Sequence, residues 1–208
     1  MKIERNFTMS EIFNGLNEIE STFLYWIQEN IRNGFFTVFF NLITVLGEKG
    51  WFFIAISVVL LLFRKTRKAG TTLSLACAFD GLLLNVILKN LFRRVRPFRI
   101  ESMAGVLLPA SWITPGETSY SFPSGHTGIS FAVAFAAIGI MPKKISVPLM
   151  VLAALTAVSR LYLGVHYPSD IAVGILCGGI SAFLSRLVIK FVAKKWGDKI
   201  NAKIPNLV

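Results

Sequence analysis

Six apolar segments constrain this chain more strongly than any other feature of its sequence. They cover residues 34–46, 51–63, 69–88, 127–141, 145–159 and 171–185. With 54% hydrophobic and 16% charged residues, and a mean hydropathy of +0.62, the composition argues against a soluble monomer. Several segments are shorter than the roughly 20 residues that cross a bilayer core, so we expect each span to extend into its polar flanks. The sequence therefore predicts an all-α integral membrane bundle of six transmembrane helices.

The pattern predicts a single membrane domain over residues 1–208. Residues 1–33 alternate apolar and acidic side chains, which predicts an amphipathic interfacial helix ahead of the bundle. Residues 34–92 are expected to form the first three spans, and residues 123–208 the last three with a basic cytoplasmic tail. Between them lies one long outer loop, 93–122, which we interpret as a structured lid or substrate rim.

The net charge of +11 is compatible with nucleic acid or with an anionic membrane surface as a partner. The apolar segments favour membrane lipids and argue against nucleic acid, and no obligate protein partner is evident. Cytoplasmic loops of membrane proteins concentrate Lys and Arg, and with six spans the basic clusters at 64–68, 143–144 and 186–203 fall on one side. This predicts a multi-pass protein of the cell membrane with both termini cytoplasmic and the 93–122 loop outside.

The chain has only two histidines, and each stands where a predicted outer loop becomes a helix. His126 ends the run Pro123-Ser124-Gly125-His126. A proline suits the first helical position, and the exposed amides of the first turn, aided by the helix dipole, form an anion site.

The second histidine, His166, precedes Pro168 and Asp170 at the start of the last span. Pro168 is expected to open that helix and to put Asp170 in its first turn. The carboxylate can then reach back to one imidazole nitrogen of His166, which sets the tautomer and leaves the other nitrogen free to attack.

Three cations, Lys89, Arg96 and Arg160, are expected to converge on one outer pocket. An arginine fork can bind two phosphoryl oxygens, while lysine supplies a compact point charge. Such a group suits phosphoryl transfer, because the transition state spreads negative charge over the equatorial oxygens.

Together these residues resemble the type 2 phosphatidic acid phosphatase superfamily of integral membrane lipid phosphatases. The family pattern is a lysine separated by six residues from Arg-Pro, then Pro-Ser-Gly-His, then Ser-Arg with a histidine and an aspartate at fixed distances. The chain carries every fixed position: Lys89, Arg96, Pro97, Pro123, Ser124, Gly125, His126, Ser159, Arg160, His166 and Asp170. The resemblance covers the chain from the third span to the start of the sixth.

The resemblance implies an enzyme that needs neither a metal nor another cofactor. His166 would be the nucleophile that forms a phosphohistidine, Asp170 would orient it, and His126 would act first as general acid and then as general base. The phosphoryl group would be held by Lys89, Arg96, Ser124, Gly125 and Arg160.

The substrate implied by the resemblance is a lipid phosphate. We favour undecaprenyl diphosphate, converted to the monophosphate and phosphate, because this short form resembles bacterial members of the family that recycle the carrier lipid at the outer leaflet. Phosphatidylglycerol phosphate and phosphatidic acid remain alternatives, as does a phosphotransferase with a lipid or sugar acceptor. A non-catalytic lipid-binding scaffold fits less well, because the whole catalytic set is present.

Four other ionisable residues receive structural interpretations. Arg93, Arg94 and Arg99 lie near the end of the third span and are interpreted as contacts to lipid headgroups, with the pocket rim as the alternative for Arg94. Asp80 lies near the middle of that span, where a charge is costly to bury. Because Asp80 belongs to no motif, we expect it to make a structural hydrogen bond or a packing contact.

Overall fold

The computed structural model describes residues 9–100 and 119–208, and the regular elements within these ranges are helices. The α-helices are α1 (Met9–Asn30), α2 (Gly34–Gly47), α3 (Trp51–Leu62), α4 (Arg67–Asp80), α5 (Lys89–Phe92), α6 (Gly125–Ala137), α7 (Lys143–Tyr162) and α8 (Pro168–Lys203). A π-helix, Gly81–Leu88, joins α4 to α5, and short 3-10 turns cover Glu48–Gly50 and Pro97–Arg99. The predicted all-α class is confirmed, and each of the six apolar segments is largely helical.

Helix α6 lies at the centre of the bundle. All of its 13 residues are buried except Gly125 and Phe135, and it packs against α4, α7 and α8. Small residues make this close packing possible. A Cβ on Gly178 of α8 would lie 2.7 Å from the carbonyl oxygen of Gly128 in α6. Gly178 is therefore a contact point between two helix backbones.

The bundle has two ends of different chemical character. At one end, which we call the basic end, Arg186 of α8 donates to the carbonyl oxygen of Phe135 at 2.7 Å, and Arg67 donates to that of Pro205 at 3.0 Å. The start of α6, with His126, lies at the other end, which we call the site end. The basic clusters used to predict the topology thus lie on the side away from the histidines.

Helix α1 lies across the site end. Its Phe13 ring is 5.4 Å from the ring of Phe122, and its Gln28 amide donates to the carbonyl oxygen of Tyr162 at 2.8 Å. Both partners belong to the site end, so α1 contacts that end along most of its length. The distribution of Lys and Arg along the sequence predicted that the N-terminal region lies at the basic end. The structure differs for Met9–Asn30, because specific polar contacts hold this helix, and counting basic residues does not detect them.

Three helical stretches among the described residues are long and apolar enough to cross a membrane: the stretch from Arg67 to Arg99, α7 and α8. Helices α2 and α3 make a fourth if they are taken as one span bent by 45°. The six-span expectation had counted these two helices separately. The six-span count therefore stays a prediction, and residues 101–118 of the expected outer lid lie outside the described residues.

We expect Gly178→Ala to destabilise the bundle by about 1–3 kcal/mol, because its Cβ would meet backbone atoms of α6 that cannot rotate away. Gly179→Ala is the matched control, since its Cβ would meet Phe135 ring atoms at 3.8 Å, an ordinary contact distance. Thermal unfolding of the detergent-purified protein measures the difference. Equal unfolding temperatures for the two variants would contradict this description of the α6–α8 contact.

Candidate active site

His166 and Asp170 face each other at the start of α8, and both are fully buried. Nδ1 of His166 lies 3.3 Å from Oδ2 of Asp170. The same oxygen accepts hydrogen bonds from the backbone N–H of Tyr167, at 2.9 Å, and from the hydroxyl of Ser121. Pro168 occupies the first turn of α8, as expected, so the spacing of four residues brings the carboxylate back onto the imidazole.

Arg96 determines which nitrogen of His166 holds the lone pair. One of its terminal nitrogens lies 3.2 Å from Nε2 of His166. A guanidinium can only donate, so Nε2 must accept, and the proton of the neutral imidazole then lies on Nδ1, facing Asp170. Arg96 is itself held by the carbonyl oxygen and the hydroxyl of Ser119, at 3.0 and 2.9 Å, and by the carbonyl oxygen of Val165 at 3.2 Å.

The surroundings of His166 favour its neutral form. Burial, reinforced by the positive charges of Arg96, Arg160 and Lys89, holds the pKa of His166 well below its usual value of 6.5. A neutral imidazole with its lone pair on Nε2 is the form that can act as a nucleophile.

Lys89 lies beside the start of α6. Its Nζ is 3.5 Å from the hydroxyl of Ser119, and it lies 3.6 Å from the position that a Cβ on Gly125 would occupy. The side-chain oxygen of Asn85 is 3.2 Å from the same position. The glycine therefore leaves the backbone at the helix start open next to a cation.

Ser124 caps α6 and ties it to α8. Its hydroxyl oxygen accepts from the hydroxyl and the N–H of Thr127, at 3.0 and 3.5 Å, and its own N–H donates to the carbonyl oxygen of Asp170 at 3.0 Å. A hydroxyl has one proton and two lone pairs. With the lone pairs facing Thr127, the proton of Ser124 remains available to a phosphoryl oxygen.

His126 and Arg160 complete the set of predicted residues. His126 is buried in the first turn of α6 and interacts electrostatically with Arg160, His166, Arg96 and Lys89. Arg160, in the last turn of α7, is fully buried and donates to the hydroxyl of Thr44 in α2 at 2.8 Å. The structure therefore brings the sequence-predicted residues to one place at the site end.

Arg94 corrects one interpretation made from the sequence. Instead of contacting lipid headgroups, it is 2% exposed and donates to Oδ1 of Asp170 at 2.6 Å. Its neighbours Arg93 and Arg99 are exposed. Alternate residues of an extended segment point to the same side. Because Arg94 lies two residues before Arg96, this spacing could have predicted that Arg94 faces the site together with Arg96.

The sequence also left Ser119, Ser121 and Thr44 unassigned, and the structure brings all three into the site. Serine and threonine are too common for any pattern to single them out. Asp80, by contrast, is buried against α6. Its carboxylate oxygens lie 2.8 Å from where a Cβ on Gly128 would sit, which fits the expected packing role.

The described residues include no group of three or more His, Cys, Asp and Glu side chains that could hold a metal ion. The groups that converge at the site are instead two imidazoles, two guanidiniums and one ammonium. This donor set can bind an anion with several oxygens and can transfer a proton beside it.

Comparisons with known proteins agree with this chemistry. A family model described as the PAP2 superfamily matches residues 69–194, which contain all the predicted site residues. The undecaprenyl-diphosphatase of Sulfolobus acidocaldarius is 33% identical over 132 residues, covering 64% of this chain and 61% of that relative. The matched region thus spans less than two thirds of the relative.

Two solved structures have the same fold over most of their length. Aquifex aeolicus LpxE superposes with a TM-score of 0.67 at 28% identity, covering 89% of this chain and 98% of that structure. The transmembrane PAP2 type phosphatidylglycerolphosphate phosphatase of Bacillus subtilis has a TM-score of 0.62 at 27% identity, covering 85% of this chain and 88% of that structure.

An untagged His126→Gln variant would leave His166 as the single imidazole of the protein. We expect nitrogen NMR of this variant to show a titration midpoint below pH 6.5, because the substitution removes none of the causes that lower the pKa of His166. The neutral form should carry its proton on Nδ1. Free N-acetylhistidine in the same detergent is the control, and a midpoint at or above 6.5, or a proton on Nε2, would contradict the geometry.

Proposed function

This chain belongs to the PAP2 superfamily, and on that premise we propose that it is a membrane lipid phosphatase. It removes the terminal phosphate of a lipid phosphate or diphosphate through a phosphohistidine on His166. The observation that carries the proposal is the convergence of the Asp170–His166 pair with His126 and with the cations Arg96 and Lys89 at one end of an apolar bundle.

Nε2 of His166 is the attacking atom in the first step. Its lone pair forms a bond to the terminal phosphorus while the bond from phosphorus to the bridging oxygen breaks. His126, which holds a proton while the bound phosphate offsets the charge of the surrounding cations, donates that proton to the departing oxygen, so the lipid leaves with one phosphate fewer. Asp170 accepts a hydrogen bond from the N–H at Nδ1 and stabilises the positive charge that develops on the imidazole.

Water releases phosphate in the second step. His126, now neutral, accepts a proton from the water as its oxygen bonds to phosphorus, and the bond from phosphorus to Nε2 breaks. Throughout, Lys89, Arg96 and Arg160 face the charge that spreads over the equatorial oxygens. The hydroxyl of Ser124 and the amide of Gly125 add donors at the start of α6.

Undecaprenyl diphosphate is the substrate we favour, with phosphatidylglycerol phosphate and phosphatidic acid as alternatives. A curated relative is named for the first of these activities and a solved structure for the second. We infer that the site faces the extracytoplasmic side, because the basic end lies at the other end of the bundle and cytoplasmic segments concentrate Lys and Arg. The C-terminus would then be cytoplasmic.

Phosphate release by the detergent-purified protein tests the activity. We expect release from undecaprenyl diphosphate that persists with a chelator present and falls about 1,000-fold or more in His166→Ala, because the nucleophile is lost. Arg96→Gln should also reduce release strongly, whereas its matched control, the exposed Arg99→Gln, should not. No release from any of the three lipids would contradict the proposal, and transfer of the phosphoryl group to an added alcohol in place of water would indicate a phosphotransferase.

The intermediate can be trapped with a substrate whose leaving group needs no acid. With labelled p-nitrophenyl phosphate, we expect His126→Ala to accumulate an acid-labile, base-stable label on the protein, because formation of phosphohistidine proceeds while its hydrolysis lacks a base. The same label should be absent from His166→Ala. Label retained in His166→Ala would assign the nucleophile to another residue.

A further inference from the structure

We propose that Glu20 of α1 and Arg94 are positioning residues of the active site, which together hold Asp170 in place against His166. The inference rests on the proposed function for its kinetic part. It makes α1 part of the catalytic apparatus, although α1 precedes residues 69–194, the part of the chain that matches the family.

Arg94 is a buried link between two carboxylates. One terminal nitrogen donates to Oδ1 of Asp170 at 2.6 Å, and the other donates to Oε2 of Glu20 at 2.5 Å. The guanidinium lies over the ring of Tyr167, 3.8 Å from its centroid, and 4.8 Å from the centroid of Phe13. Hydrogen bonds at the edge of the guanidinium and aromatic rings at its faces therefore hold the Arg94 side chain in a single position.

Glu20 also binds the start of the helix that carries Asp170. Its Oε1 accepts the backbone N–H of Ser169 at 2.6 Å, and its Oε2 accepts the hydroxyl of Ser169 at 2.9 Å. An amide in the first turn of a helix has no partner within that helix. Glu20 supplies the missing acceptor, so α1 caps α8 across 149 residues of sequence.

Asn17, one turn before Glu20 in α1, completes the arrangement. Its side-chain oxygen accepts from Nε and from a terminal nitrogen of Arg94, at 2.9 and 2.7 Å. Arg94 also donates to the hydroxyl of Ser169 at 2.7 Å. The guanidinium thus has acceptors on α1 and on the first turn of α8, and it cannot move without loosening both.

The consequence for catalysis passes through Asp170. Its Oδ2 faces Nδ1 of His166, and its Oδ1 faces Arg94. A buried carboxylate that loses its counter-charge either takes up a proton or changes its position. Either event removes the acceptor that holds the Nδ1 proton of His166, and Nε2 then loses its orientation as a nucleophile.

Substitutions that remove one charge at a time test the link. We expect Glu20→Gln and Arg94→Gln each to lower kcat about 10- to 100-fold with KM changed less than about threefold, as for residues that orient a catalytic group without touching substrate. Arg94→Lys, which keeps the charge, should recover part of the loss. The controls are Glu18→Gln, which is exposed on the same helix, and Arg93→Gln, the exposed neighbour of Arg94.

The double variant separates a shared role from two independent ones. If Glu20 acts through Arg94, kcat of Glu20→Gln/Arg94→Gln should be close to that of Arg94→Gln alone. Multiplied losses in the double variant would overturn the link between the two residues. Losses that appear in KM with kcat unchanged would overturn a positioning role.

A measurement that does not depend on turnover distinguishes failure of this inference from failure of the proposed function. In the single-imidazole His126→Gln background, Glu20→Gln and Arg94→Gln should shift the nitrogen signals of His166, and Glu18→Gln should not. These shifts are expected whether or not a substrate is found. Unchanged His166 signals in folded Glu20→Gln and Arg94→Gln variants would overturn the inference even if the phosphatase activity is established.

Discussion

The buried carboxylate of Asp170 is the group on which the rest of the site depends. A carboxylate without water must receive hydrogen bonds and a counter-charge from the protein. Asp170 receives them from Ser121, the N–H of Tyr167, His166 and Arg94. These partners come from the loop before α6, the start of α8 and the segment after α5. One buried charge therefore fixes the relative positions of three parts of the chain that are far apart in sequence.

Close packing of α6 against α8 makes this arrangement possible. A Cβ on Gly174 would lie 2.9 Å from the carbonyl oxygen of Ser124, and a Cβ on Gly178 would lie 2.7 Å from that of Gly128. The absence of side chains at these two glycines lets the two helix starts approach. The N–H of Ser124 consequently reaches the carbonyl oxygen of Asp170 at 3.0 Å. The packing that stabilises the bundle is thus also the packing that brings the two histidines together.

The cations and the imidazoles of the site support one another. Arg96, Arg160 and Lys89 repel a proton on His166, while they attract the oxygens of a phosphate. In the proposed mechanism, the charge that binds an anionic substrate therefore also keeps the nucleophile neutral. Arg96 contributes to the proposed mechanism in a second way, because its contact with Nε2 leaves the lone pair on the nitrogen that attacks phosphorus.

The sequence by itself determined the all-helical class and the approximate positions of the apolar helices, and it predicted the residues of the candidate site from Lys89 to Asp170. These features depend on local patterns: apolar runs, a proline at a helix start, and a spacing of four residues that puts His166 and Asp170 on one turn. Only the tertiary structure decided that α1 lies across the site end, that Arg94 is buried, and that Ser119, Ser121 and Thr44 hold the catalytic cations and carboxylate. Glu20 and Ser169 are 149 residues apart, and no periodicity encodes that contact. It arises from hydrogen bonds that form only after the bundle has packed, when buried donors and acceptors must find partners wherever the fold provides them.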